Sequence, residues 1–355
     1  MTEQPQPLIN EIVGGGGTRR IGYIDALKGF AILCVVVGHI AHGYIVSNQY
    51  PGSWNFWYTI DNVIYSFHMA LFFTISGYVY NKAYLNVDGV PRYNKLWIQV
   101  LNLVVIYVVF SVGFTLVKIP FNAISNEQAS FSDILWMWKN PVGVYWYLYV
   151  LIEMYLVFSI PCVTKLKFYI IVPVCIGLSV LSYYISFPFH IPALLYYLVF
   201  FALGVTYARN KKIISNMPLA VCGFLLSISL SIAFWNKNVK LNSIHYVNLV
   251  LAFGYTCFIW FIFEHINLIG NSKTLRFLGS RSLEIYVIHG PVITAGRVLM
   301  NRLGSENQYL CLVILMCLGA GIPLLFSFVT RKIGLFDWLF KFASMTNQKI
   351  KSKTA

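Results

Sequence analysis

Ten apolar stretches constrain this chain more than any other feature. They run over 22–46, 58–80, 96–117, 143–161, 168–186, 191–208, 217–235, 246–263, 283–300 and 308–330, each close to the roughly 17–25 residues that an α-helix needs to cross hydrocarbon. A chain with 58% hydrophobic and only 11% charged residues cannot make a soluble globule, whose charged share is about a quarter. The expectation is an all-α polytopic membrane protein, a bundle of about ten transmembrane helices. The first stretch does not read as a signal peptide: its apolar part is too long, no small-residue cleavage site follows, and a second span comes at once.

An even number of spans puts both termini on one side, and the Lys/Arg distribution says which. The segments that share the N-terminal side hold Arg19, Arg20, Lys82, Arg92, Lys95, Lys165, Lys167, Arg209, Lys211, Lys212, Lys273, Arg276, Arg281 and the basic tail through Lys353, whereas the opposite loops hold only Lys118, Lys139, Lys237, Lys240 and Arg302. Both termini are therefore expected in the cytoplasm. The domain reading is a flexible cytoplasmic tail at 1–20, rich in Pro and Gly, one transmembrane domain at 21–335, and a basic cytoplasmic tail at 336–355. The net charge of +14 is then mostly a topology signal, with Lys349, Lys351 and Lys353 lying against anionic lipid. Nucleic-acid binding is not implied. The seven cysteines are odd in number and include no CxxC pair, so they read as small core residues and point to neither a disulfide framework nor a metal site.

Within this apolar background, "DALKGFAILCVVVGH" carries Asp25, Lys28 and His39. At 100° per residue the three fall within about 60° of arc, with Lys28 and His39 about 16 Å apart along the axis. A polar stripe on a spanning helix marks a functional site by default, because charged groups in hydrocarbon are costly unless they face protein or water. His68, returning on the second span, comes within about 5 Å of the depth of His39. Glu153 lies at a similar level on the fourth span, and a shared site for His39, His68 and Glu153 is the economical reading. Each has a plain structural alternative: an interhelical hydrogen bond for His68, a local ion pair for Asp25 and Lys28, snorkelling for Lys28. His42 reads as facing the outer water. His289 reads equally as lining a pore or as packing before Pro291.

Four segments resemble the membrane-integral acyltransferase-3 family, especially its fucose 4-O-acetylase-like branch: "YIDALKGFAILCVVVGH" (23–39), "YSFHMALFFTISGY" (65–78), "YWYLYVLIEMY" (145–155) and "SLEIYVIHGP" (282–291). The most specific is a basic residue followed after ten positions by histidine, here Lys28 and His39. The resemblance implies a ten-helix enzyme of the bacterial inner (plasma) membrane that takes an acyl group, usually acetyl, from cytoplasmic acyl-CoA and places it on a hydroxyl of a cell-envelope glycan or its lipid-linked precursor. Its catalytic histidine would correspond to His39. One departure stands out: the family often has two arginines separated by three residues near the third span, whereas "PRYNKL" offers Arg92 and Lys95 separated by two.

On this reading His39 acts as general base or as acyl carrier, with Glu153 better placed than Asp25 to orient it. Lys28, Arg92 and Lys95 would hold the phosphates of acetyl-CoA, the acyl-donor substrate, while its pantetheine arm threads the bundle toward His39. No metal is called for, the oligomeric state stays open, and the partners are acyl-CoA, a glycan or glycolipid acceptor and the bilayer. Trp54 and Trp57 in "SNQYPGSWNFWY" suit sugar stacking, and an interfacial aromatic belt looks the same. The rival class is a transporter or flippase for a glycan-lipid or small anion, using the buried His, Glu and Lys as its pathway. A receptor or scaffold would leave the aligned Asp25, Lys28 and His39 without a purpose.

Overall fold

The computed structural model describes residues 11–13, 19–124, 128–210, 216–235 and 245–346. The four-glycine run at Gly14–Gly17, Lys211, Lys212, Lys237, Lys240 and the lysines from Lys349 to Lys353 lie outside the described residues. At the N-terminal end, β1 (Glu11–Val13) pairs antiparallel with β2 (Arg19–Ile21). The rest is helical: α1 (Gly22–Ser47), α2 (Trp54–Tyr84), α3 (Tyr93–Lys118), α4 (Phe131–Trp136), α5 (Trp146–Val157), α6 (Pro161–Thr164), α7 (Phe168–Leu181) and α8 (Ile191–Arg209). There follow α9 (Met217–Trp235), α10 (His245–His265), α11 (Asn267–Gly270), α12 (Lys273–Ser280), α13 (Ser282–Arg302), α14 (Gln308–Lys332) and α15 (Leu335–Phe340).

Seven of these helices are long and apolar enough to cross a membrane. Three further apolar helices, Gly143–Val157, Phe168–Leu181 and Met217–Ala233, are shorter, so the expectation of ten full spans is met by length in seven. The reason for two of the shortfalls is local. The helix at 143–157 opens with a 3-10 turn over Gly143–Tyr145, and the chain restarts at Pro161. The 14 residues of α7 carry Pro173 inside and rise only about 21 Å, against about 30 Å of hydrocarbon. Leu101, Val174, Leu225, Leu325 and Phe328 stand exposed on the outside of α3, α7, α9 and α14, the inversion expected of a multi-pass protein whose perimeter meets lipid.

Helix α1 sits centrally, packed on α2, α12, α13, α14 and α10. Small residues let backbones meet, the usual device where lipid supplies no hydrophobic drive. Added side-chain carbons at Gly29 and Gly279 would collide with the Leu275 and Asp25 carbonyls, and at Gly77 and Gly204 with the Phe201 and Thr74 carbonyls. The first pair locks the Gly22 half of α1 onto α12; the second locks α2 onto α8. Residues at the start of the expected C-terminal tail are folded: Phe336, Leu339 and Phe340 are buried, and Asn102 of α3 accepts from the Ala343 amide.

Candidate active site

Three helices deliver the histidines to one layer. The His39 ring lies 5.0 Å from that of His289 and 6.0 Å from that of Tyr65, whose hydroxyl stands 3.4 Å from His39 Nδ1. Tyr65 in turn lies 4.9 Å from the His68 ring and 5.5 Å from that of His42. His42 donates from Nδ1 to the buried Asp61 carboxylate at 3.2 Å. A tyrosine on α2 thus links the histidines of α1 and α2, while α13 brings His289 from far along the chain.

Backbone bonds fix two of the tautomers. A carbonyl only accepts, so His68 carries its proton on Nδ1, donating to Ile64 O at 2.7 Å, and His289 does the same toward Tyr286 O at 2.7 Å. The remaining Nε2 of each is the lone-pair nitrogen. In His289 that atom is buried with no hydrogen-bond partner among the described residues, an unmet acceptor in the layer of His39.

A cavity of about 200 Å³ lies beside this layer. Its lining runs from Lys28, Val79, Gln99, Tyr155 and Ser282 to Val35, Met69, Tyr147 and Tyr286. The helical repeat places His39 one turn beyond Val35, His68 next to Met69, and His289 one turn beyond Tyr286. The walls carry few polar groups: Ser76 and Tyr147 share a 2.8 Å hydrogen bond, and Tyr286 donates to the Val144 carbonyl. The result is a mostly apolar cavity with Lys28 in its lining and the imidazoles within one helical turn of its Val35, Met69 and Tyr286 wall.

Among the residues singled out from sequence, Lys28 lines the cavity, 3.5 Å from Asp25 Oδ1. Arg92 and Lys95 border an open recess with Tyr93 and Asn94, and Lys95 lies one turn of α3 before the cavity-lining Gln99 and two before Leu103. Glu153 is placed otherwise. On α5 the cavity is lined by Tyr147, Leu148, Leu151 and Tyr155, and a rotation of 100° per residue puts Glu153 on roughly the opposite face. Its electrostatic neighbour is Tyr149, and its Oε2 has no partner among the described residues. The neighbours of His39 are Tyr65, His289, His68 and His42, and the group at its Nδ1 is the Tyr65 hydroxyl, not Glu153. Trp57 is buried with its indole N–H on Gln308, which leaves no face for a sugar; Trp54 stacks on Tyr58 at 4.5 Å.

Sequence reasoning underweighted His289 and missed Asp61, Tyr65, Ser76, Tyr147 and Tyr286. The signal was present for most of them. Tyr65 and Ser76 belong to the "YSFHMALFFTISGY" segment, Tyr147 to "YWYLYVLIEMY", and Tyr286 and His289 to "SLEIYVIHGP". Ser76, Tyr147 and Tyr286 line one cavity, and Tyr65 and His289 lie in the histidine layer beside it.

Comparison with known proteins identifies the family. Residues 21–343 match the family model described as an acyltransferase domain, Acyl_transf_3. The chain is similar to the nodulation protein NolL of Sinorhizobium fredii, with 26% identity over 208 residues, covering 58% of this chain. The matched region spans 53% of that relative, about half its length. No solved structure matches the chain.

Proposed function

This chain belongs to the acyltransferase-3 family, and from that premise we propose that it transfers an acetyl group from cytoplasmic acetyl-CoA to a hydroxyl of a cell-envelope or secreted glycan, or of its lipid-linked precursor. The observation that carries the reading is the cavity lined by Lys28 at one end and, at the other, by Val35, Met69 and Tyr286, each within one helical turn of His39, His68 or His289. CoA is long, anionic at one end and reactive at the other. Lys28, Arg92 and Lys95 supply cations at the Lys28 end for its phosphates, and the apolar walls suit a pantetheine arm reaching toward the imidazoles.

In the reaction, the acceptor oxygen attacks the thioester carbonyl carbon, a C–O bond forms and the C–S bond breaks. An imidazole takes the hydroxyl proton and returns it to the departing thiolate, so no net proton is released. Positioned base catalysis of this kind contributes about 10² to 10⁴ in rate. His39 is the base we favour, with Tyr65 at its Nδ1 holding the ring. His289, with its proton held by the Tyr286 carbonyl, presents Nε2 to the same space. The resemblance of the four motifs to the fucose 4-O-acetylase-like branch supports a sugar hydroxyl as acceptor. The bacterial inner membrane, with both termini cytoplasmic, follows from the same resemblance and from the Lys/Arg asymmetry.

The test is transfer of labelled acetyl from acetyl-CoA by purified protein in nanodiscs, with thioester hydrolysis measured in parallel. Acetyl transfer or hydrolysis that depends on His39 supports the proposal. Absence of both, together with glycan-lipid movement in the same vesicles, would replace it with transport.

A further inference from the structure

Arg297 lies inside α13, short of its end at Arg302. A guanidinium in a membrane span is costly unless it is paired or faces water, yet no described residue forms a hydrogen bond or ion pair with it. Its side chain crosses α1 at Gly43: a side-chain carbon added there would stand 3.1 Å from Arg297 Nε and 3.2 Å from Cδ. Gly43 is one turn beyond His39, about 6 Å closer to the Ser47 end. The arginine therefore sits beside the histidine layer on the face opposite the Lys28 cavity, where a second substrate would have to arrive.

Its electrostatic neighbour is Tyr44. This tyrosine is 2% exposed, and its hydroxyl is buried without a hydrogen-bond partner among the described residues. Tyr50 and Trp57, with ring centroids 4.9 and 4.8 Å away, hold it in place. The buried carboxylate of α2, Asp61, is engaged by His42. Two unmet donors, one of them cationic, thus lie together one helical turn from His39.

We propose that Arg297 and Tyr44 form an oxyanion subsite for the acceptor, so that the molecule acylated here carries a carboxylate or phosphate close to the hydroxyl that reacts. Arginine presents a planar fork that matches either group bidentately, and the tyrosine hydroxyl adds a further donor. The identity of the bound molecule as an acyl acceptor rests on the function proposed above; the binding of an anion does not.

The experiment uses the full chain in phosphatidylcholine nanodiscs and three probes: methyl glucuronide, glucose 1-phosphate and neutral methyl glucoside. Saturation-transfer NMR reads binding, and labelled acetyl-CoA reads transfer. Wild type should prefer at least one charged probe by about 10- to 100-fold, the range of a charge-assisted contact. Arg297→Gln should level the three probes. Arg297→Lys should keep part of the preference through its point charge, and Tyr44→Phe should weaken it. Equal binding of all probes by wild type, or a preference that survives Arg297→Gln, overturns the subsite. Loss of the preference when phosphatidylglycerol is added to the nanodisc assigns the arginine to lipid headgroups and overturns it as well. Charge selectivity in binding without acetyl transfer would keep the subsite and sink the acyltransferase reading of this chain's acceptor; transfer without selectivity would do the reverse.

Discussion

His39 of α1 and His289 of α13 lie side by side in one layer, their rings 5.0 Å apart. Because the Tyr286 carbonyl holds the Nδ1 proton of His289, the unpartnered Nε2 is a fixed acceptor beside His39. Two imidazoles in one space can share the work of a base. His39→Ala should lower kcat at least about a hundredfold, and His289→Ala should also fall by tenfold or more. If the two act as a unit, the double variant should be scarcely worse than the weaker single one, since such effects are strongly non-additive. Mass spectrometry of glycan acetylation at matched protein levels makes the comparison. Full activity in His39→Ala would remove this layer from the chemistry; full activity in His289→Ala alone would leave His39 the sole base.

The cavity makes a separate prediction, independent of the histidines. Ser76 lines it and hydrogen-bonds Tyr147 on the opposite wall. Ser76→Phe should fill the lumen and reduce kcat/KM for acetyl-CoA by about a hundredfold or more, while Ser76→Ala should cost little. Arg92→Ala and Lys95→Ala should instead raise KM with kcat preserved, because they would touch a part of CoA that does not change in the transition state. Steady-state kinetics on the four proteins separates the cases. Normal turnover by Ser76→Phe would mean that the donor arrives by another route.

The His42 and Asp61 pair predicts a stability effect. Asp61 is 3% exposed and its carboxylate accepts from His42. His42→Ala strands that carboxylate and should destabilise by about 1 to 3 kcal/mol, the cost of a buried polar group left unmet. Adding Asp61→Asn should recover part of the loss, since the amide is neutral and easier to bury. Thermal unfolding in detergent reads this cycle. Activity per folded molecule should fall less than tenfold in His42→Ala, because His39, His68 and His289 keep their places. Unfolding temperatures unchanged from wild type in both variants would show that the pair stabilises nothing.

How far the sequence was legible depended on which interactions were local. The periodic apolar runs announced the spanning helices, and the shared face of Lys28 and His39 followed from the repeat of one helix. Length was harder to read: the apolar stretch at 168–186 continues beyond the point where α7 stops at Leu181, and hydropathy alone does not mark that stop. The site was legible where two neighbouring spans meet, as with His39 and His68. It was not legible where the partner arrives from α13, because nothing in "SLEIYVIHGP" alone says that His289 returns to α1. The facing of Glu153 was not legible for the complementary reason. Depth along a helix can be counted from sequence, but which way α5 turns its faces is set by packing, through Tyr145 donating to the Val287 carbonyl and Tyr286 to that of Val144.

The reaction scheme needs a direction across the bilayer, and this gives the last prediction. The Lys28 end of the cavity must meet cytoplasm, where acyl-CoA is made, while Gly43 and Arg297 must lie toward the outside. The Lys/Arg asymmetry supports that orientation, since cytoplasmic loops retain positive charge. It places the loop before α9 inside and the loop between α3 and α4 outside. In a chain whose seven native cysteines are replaced by serine or alanine and which still acetylates glycan, Asn126→Cys should react with an impermeant maleimide added to intact cells. Lys212→Cys should react only after the membrane is opened. The same cells should show the C-terminal end protected from external protease. The reverse labelling pattern, with Lys212→Cys reactive from outside and Asn126→Cys silent, would turn the cavity toward the wrong compartment for acyl-CoA. Activity retained in that labelled chain would then require a donor found outside the cell.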